Sequence, residues 1–344
     1  MKNYLTFIVL IIILITGGIF AQSIQLYSNI GDLRLSGNKV ISNCTIGYRT
    51  FGKLNSDSSN VIIFPTWFDG TTNEIGKLIQ KYSFLDTTKY FIIGIDALGN
   101  GLSSSPSNYN VYRINEYPDI SIHDMVNSQF QLLTKIFNFK HIFAAVGGSL
   151  GGMQVLEWSA AYPGFMDKIV AYVSTPKLSS YEKLWITAQL DLIENGIKYG
   201  ESEKEIRKTL AMLMAGFSRT PDYLVEKVSD TEFDNFIRSF DKDNSSVFTL
   251  RDYQIQLKAI LKHDIYKNFD DSIDKTVKAI KAKFLFIISE TDLLVNPIEV
   301  KKFAELTGSK ILLLDNNCGH LAVTCEMEKV RNEITSFLAE KQSK

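Results

Sequence analysis

Ser149 stands in Val146-Gly-Gly-Ser-Leu-Gly-Gly152, with one glycine two residues before it and another two after. The run 141–146 ahead of it reads as a buried strand, and 153–162 follows with helical spacing until Pro163 stops it. A serine on such a strand-to-helix turn is a nucleophile elbow, strained in its backbone and dependent on small neighbours. The alternative is a glycine-rich turn with an incidental serine. An alcohol is a poor nucleophile at neutral pH, so it needs a base and a third group to orient that base. The chain has four histidines. His123 falls in the first turn of an expected helix, His141 at the buried start of the elbow strand, and His263 in a helical region. His320 alone follows the last expected strand, behind Gly319, and is the expected base. Asp292, in the loop after the preceding strand, is the expected orienting acid, with Asp315 as competitor. An acyl-transfer oxyanion needs two N–H donors. Leu150 supplies one by position. Trp67, from the loop after strand 61–64, is the choice for the other, with Phe68 as alternate.

Serine, aspartate, histidine in that chain order is the order of the α/β-hydrolases. The elements that must position them fit. Residues 24–48 alternate as an antiparallel meander, and 61–64 and 90–96 read as strands buried on both faces. The glycine- and serine-rich loop 97–107 follows, where Asn100 and Ser103–Ser105 are expected to solvate a surface. Ser121 can cap a helix over 122–137; strands are expected at 168–174, 284–288 and 310–314, and helices at 300–306 and 326–339. Between them, helices are expected at 181–195, 202–217, 222–239 and 250–263 with no strand. The expectation is an α/β-hydrolase fold: a mostly parallel central sheet with helices on both faces and an inserted helical cap. Its core would be 22–175 and 283–344, with the cap or lid at 176–282. Tyr181, Trp185, Met212, Met214 and Phe217 read as plain cap core, with an apolar acyl pocket as the alternative.

The N-terminus has a charged start, an aliphatic run from Leu5 to Ile15 and small residues up to Ala21. That is the layout of a secretory signal peptide over 1–21, with an uncleaved membrane anchor as the alternative. Either places the rest of the chain outside the cytoplasm, periplasmic or extracellular. A net charge of −1 with mixed signs gives no field for nucleic acid. Three cysteines are too few for a disulfide framework; Cys318 and Cys325 could close a small loop, but free buried thiols are the expectation. No cysteine and histidine spacing suggests a metal site, and the chemistry requires no cofactor.

Gly147-Gly-Ser-Leu-Gly-Gly-Met-Gln154, Glu157-Trp158, Tyr162-Pro163, Thr291-Asp292 and Gly319-His320 resemble the homoserine O-acetyltransferase branch of the α/β-hydrolases. Tyr48-Arg-Thr-Phe-Gly-Lys-Leu-Asn55 is similar to that branch's early strand-turn segment. The resemblance implies an acyl-enzyme on Ser149, formed and discharged in ping-pong fashion with His320 and Asp292, and a homodimer through cap helices. Pro65-Thr-Trp-Phe-Asp-Gly70 departs from the branch's oxyanion loop, and 175–189 offers Lys177 and Lys183 but no arginine for an amino-acid carboxylate. The leading expectation is therefore an exported hydrolase of small esters or thioesters, since acetyl-CoA and homoserine are cytoplasmic. The alternative is an O-acyltransferase moving an acyl group from CoA to an alcohol. The lesser alternative is a catalytically silent binding protein on the same fold.

Overall fold

The computed structural model describes residues 23–109, 117–241 and 248–340. The expected signal segment 1–21 lies outside the described residues. Short strands open the chain: β1 (Leu26–Asn29), β2 (Leu33–Arg34), β3 (Val40–Ile41) and β4 (Thr45–Phe51). β5 (Val61–Pro65), β6 (Phe91–Ile95), β7 (Ile142–Gly148), β8 (Met166–Tyr172), β9 (Lys283–Ser289) and β10 (Lys310–Leu314) follow. One eight-stranded sheet has the order β1-β4-β6-β5-β7-β8-β9-β10. It is antiparallel at the β1–β4–β6 end and parallel from β6 to β10. All of β5 and all but one residue of β7 and of β9 are buried or covered on both faces. That is why these strands are unbroken apolar runs instead of alternating ones.

Helices cover the sheet. α1 (Thr72–Tyr82) follows β5, α2 (Ile122–Gln131) precedes β7, and α3 (Leu150–Ala161) links β7 to β8. α4 (Ser180–Tyr199), α5 (Glu203–Ser218), α6 (Pro221–Lys227), α7 (Phe233–Arg238), α8 (Leu250–Leu261) and α9 (Ile273–Ala279) all lie between β8 and β9. α10 (Pro297–Leu306) joins β9 to β10, and α11 (Ala322–Cys325) and α12 (Met327–Ala339) close the fold. Among the described residues, no helix is long and apolar enough to cross a membrane. Reciprocal capping boxes start α2, α4 and α8, with Ser121–Asp124, Ser179–Glu182 and Thr249–Asp252 each satisfying donors at the first turn. Lys168 of β8 is 1% exposed, and its Nζ donates to the carbonyls of Phe337, Leu338 and Glu340. A buried ammonium so satisfies the orphan carbonyls at the end of α12 and ties that helix to the sheet.

Three local expectations are corrected. The helix expected over 222–239 is two, α6 and α7. Val228 is extended, at φ −123° and ψ 99°, and Ser229 Oγ bonds Glu232 at 2.9 Å and Thr231 at 3.1 Å. Short polar side chains there compete with helical hydrogen bonds. The helix expected over 122–137 leaves α geometry after Gln131 and finishes as a π turn, Leu132–Ile136. Finally, Asn100 and Ser103–Ser105 do not solvate a surface: all four are at most 4% exposed. Asn100 Nδ2 donates to Gly70 O and Asp96 Oδ1, while Ser103 and Ser104 hydroxyls accept the N–H groups of Gly47 and Thr45. This loop is a buried clamp on β4.

Its centre is Asp96, at the end of β6. The carboxylate accepts from Gln25 Nε2 at 2.8 Å, Thr72 N at 2.9 Å, Thr72 Oγ1 at 3.0 Å and Asn100 Nδ2 at 3.0 Å. Asp96→Ala would leave the buried Thr72 N–H without its acceptor and take a partner from Asn100 Nδ2, so urea unfolding should show a loss of about 2 kcal/mol. A loss under about 0.5 kcal/mol would show that the clamp carries little.

Candidate active site

Ser149 lies between the end of β7 and the first residue of α3, at φ 53° and ψ −125°. A residue with a side chain adopts such angles at a cost of about 1–3 kcal/mol, and only where its surroundings hold it. Here its N–H donates to Tyr172 O at 3.0 Å and its carbonyl accepts from Met153 N at 2.9 Å. The flanking glycines are required by close approach. A Cβ at Gly147 would run into the carbonyl of Gly151, and one at Gly151 would sit 2.5 Å from Pro65 O. The strand β7, the helix α3 and the end of β5 therefore meet backbone against backbone beneath the serine.

The structure brings Ser149, His320 and Asp292 together. His320 Nε2 lies 3.0 Å from Ser149 Oγ, and its Nδ1 lies 2.8 Å from Asp292 Oδ2. A carboxylate can only accept, so Nδ1 carries the proton and the Nε2 lone pair faces the serine hydroxyl. Asp292 Oδ1 is held by Leu294 N at 2.8 Å and Val295 N at 2.9 Å. Both side chains are nearly buried, His320 at 8% and Asp292 at 5% exposure. Asp315 is exposed and does not bond His320. The other histidines are engaged elsewhere: His123 with Glu157 at 2.7 Å, His141 with Asp167 at 3.0 Å, and His263 with Thr175 O at 2.9 Å. His141 is exposed, contrary to the expectation of a buried strand start.

His320 sits in a one-turn 3₁₀ helix, Gly319–Leu321, that is fastened from several sides. Ser289 Oγ donates to Gly319 O at 2.8 Å, Thr291 Oγ1 to Asn316 O at 2.7 Å, and Thr220 Oγ1 to Asn317 O at 2.5 Å. Cys318 and Cys325 are joined as a disulfide, which corrects the expectation of free thiols. The 3₁₀ turn and the short α11 fold the chain back on itself, leaving the two Cα atoms 6.6 Å apart, within bridging reach. Among the described residues Cys44 is the free cysteine; burial pushes its thiol up to about 12.

Leu150 is the first residue of α3, a position whose N–H has no intrahelical acceptor. Trp67 lies beyond β5 and lines a groove beside Ser149, while Phe68 borders that groove and a second, smaller cavity. Sequence reasoning gave no role to Gln154, one turn into α3. Its Nε2 donates to Thr66 O at 3.0 Å and Leu150 O at 3.2 Å, and its Oε1 accepts from Gln129 at 2.5 Å. Gln129 in turn accepts from Trp158 Nε1 at 2.7 Å. This buried chain fixes the Thr66–Trp67 peptide; the signal was a glutamine one turn into a mostly apolar helix. Trp185 and Met214 line the smaller cavity instead of serving only as cap core. Phe217 stacks behind Trp185, and Tyr181 bonds Leu293 O.

With this geometry in place, the comparisons define the class. The chain belongs to the alpha/beta hydrolase fold family, whose model matches residues 60–324. It is 35% identical over 185 residues to a probable esterase of Corynebacterium glutamicum, a match covering 52% of this chain and 53% of that protein. The match thus spans about half the length of that relative. A homoserine O-acetyltransferase of Methanohalobium evestigatum is 28% identical over 357 residues, covering 90% of this chain and 71% of that one. Among solved structures, an acetylester hydrolase from Corynebacterium glutamicum superposes with a TM-score of 0.79 at 25% identity, over 91% of this chain and 94% of that one. The expected fold class holds, and the resemblance to homoserine O-acetyltransferases holds alongside a likeness to esterases.

The disulfide closes a short loop, with a sequence separation of 7. Replacing Cys318 and Cys325 together by serine should lower the unfolding free energy by about 2 kcal/mol. Equal stability of the double variant and the parent under non-reducing conditions would show that the bridge does not constrain the chain.

Proposed function

We propose that this chain is an exported hydrolase of small esters or thioesters, working through an acyl-enzyme on Ser149. The observation that carries the reading is the chain of contacts from Ser149 Oγ to His320 Nε2 at 3.0 Å and from His320 Nδ1 to Asp292 at 2.8 Å. In this mechanism His320 takes the hydroxyl proton as Ser149 Oγ attacks the acyl carbon. It then gives that proton to the departing alcohol or thiol as the ester bond breaks. Water repeats the sequence in reverse and releases the acid. Asp292, pinned by two backbone N–H groups, holds the imidazole in the working tautomer and stabilises the imidazolium. The N–H groups of Leu150 and Trp67 are the oxyanion donors in this scheme. Gln154 acts on the second of them by holding the Thr66 carbonyl of the same peptide.

Water as acceptor rests on two supports. The 1–21 pattern directs the chain away from cytoplasmic acyl-CoA, and esterases stand among its relatives. A second reading, O-acyl transfer to an alcohol such as homoserine, is favoured by the relative that covers 90% of this chain. Both share every step up to the acyl-enzyme and differ in what attacks it. A silent binding protein would leave the aligned serine and histidine without a purpose.

The discriminating experiment is p-nitrophenyl acetate turnover by residues 22–344, with and without L-homoserine. Rapid nitrophenol release indifferent to homoserine is expected; acceleration together with O-acetylhomoserine formation would replace hydrolysis by transfer. Ser149→Ala should lose at least about 10⁴-fold in kcat; unchanged biological activity in that variant would support the binding role. Gln154→Leu should lower kcat by about 10- to 100-fold with KM nearly unchanged, the mark of a support lost only in the transition state. A change in KM alone would remove Gln154 from the account.

A further inference from the structure

Two spaces of different size meet at Ser149. One is closed in by α3, α4, α5, α8 and the loop after β9, and has a volume of about 40 Å³. Its walls are apolar, with Phe68, Met153, Trp185, Ile186 and Leu257 among them. Its one acid, Glu182, is already engaged by the N–H groups of Ser179 at 2.8 Å and Asn296 at 2.6 Å. The other space is a groove running from Ser149 between α1 and α11–α12, with a volume of about 580 Å³. Trp67, Leu78, Tyr82, Tyr172, Val323 and Met327 give it apolar walls. Charge is confined to α1, where Glu74 pairs with Lys77 at 3.7 Å and Lys81 lies 4.9 Å over the ring of Tyr82. His320 lines the groove and does not line the small cavity.

That last difference assigns the two sides, given the acyl-enzyme reading of Ser149 on which this step rests. When the bond between acyl carbon and ester oxygen breaks, the departing alkoxide must take its proton from His320 Nε2. The alcohol half of the substrate therefore lies on the side His320 faces, in the groove, and the acyl chain points into the small cavity. The cavity is enclosed and far smaller than the groove, about 40 Å³ against about 580 Å³, so it takes the shorter half of the substrate. We infer that the site takes short-chain acyl esters of long, apolar alcohols, sorting its substrate by placing the small half under the cap and the large half along α1 and α11–α12. The products are a short carboxylic acid and a long alcohol, with water as the balancing reactant.

Hexyl acetate and ethyl hexanoate are isomers that differ only in which half is long, and they test the assignment directly. Hexyl acetate should exceed ethyl hexanoate by about 100-fold in kcat/KM, and ethyl acetate by about 10-fold. Trp185→Ala, which opens the small cavity, should move the ratio of hexyl acetate to ethyl hexanoate at least about 10-fold toward the hexanoate. Leu78→Asp, on the groove wall, should cut the ratio of hexyl acetate to ethyl acetate by about 10-fold. These are ratios measured within one protein, so a partly misfolded preparation does not mimic them. Equal or faster cleavage of ethyl hexanoate would overturn the assignment, and so would a ratio unmoved by Leu78→Asp. Acetyl-CoA cleaved more efficiently than hexyl acetate would overturn the apolar alcohol. If no ester is cleaved above the Ser149→Ala background, the acyl-enzyme reading fails and this inference falls with it.

Discussion

A serine rests at φ 53° only if the backbone around it leaves no other choice, and in this molecule that choice is removed by contact. Gly147 abuts the carbonyl of Gly151, and Gly151 abuts the carbonyl of Pro65. The elbow is thus locked between the strand that enters it, the helix that leaves it and the end of the neighbouring strand. Everything else follows from keeping those three backbones together. α3 is buried from Leu150 to Ala160, so it is mostly apolar and its few polar groups must be satisfied internally. Gln154, Gln129 and Trp158 are satisfied by one another and by the loop after β5, which turns a burial problem into a brace for the peptide beside Ser149.

The histidine beside Ser149 arrives from the other end of the chain. Ser149 comes from the β7–α3 turn, whereas Asp292 and His320 follow β9 and β10, with the whole run of cap helices between. Their meeting depends on adjacent parallel strands, which bring the carboxyl ends of β7, β8, β9 and β10 to one edge of the sheet. The loop carrying His320 is then fixed from two directions. Hydroxyls of Ser289 and Thr291 hold it from β9 and the turn that follows, and Thr220 holds it from the cap. The disulfide closes the same loop on itself. One small segment therefore joins the sheet, the cap and the imidazole.

The meeting of Ser149, Asp292 and His320 was the most legible part of the sequence. A Gly-x-Ser-x-Gly turn has few other uses, and with four histidines the position after the last strand singled out His320. Periodicity also separated the sheet strands from the long helical run after β8. What stayed hidden depends on partners distant in sequence. Asn100 and Ser103–Ser105 look like a solvated loop until Asp96, Gly47 and Thr45 are seen against them. The pairing of Cys318 with Cys325 depends on how α11 turns back, which no spacing rule encodes. Trp185 and Met214 have the spacing of core residues, and only the packing of α4 and α5 over Ser149 gives them a cavity to line. The break between α6 and α7 has a local cause, the competing hydroxyls of Ser229 and Thr231, set inside a stretch that otherwise has a helical pattern.

The central proposal is that His320 and Asp292 activate Ser149 as a nucleophile. Labelling with a fluorophosphonate, followed by peptide mass spectrometry of the wild type and of His320→Gln, tests it most directly. A single phosphonate on the peptide containing Ser149, formed far more slowly in the histidine variant, is the predicted result. A label on another residue, or equal labelling with and without His320, would contradict it.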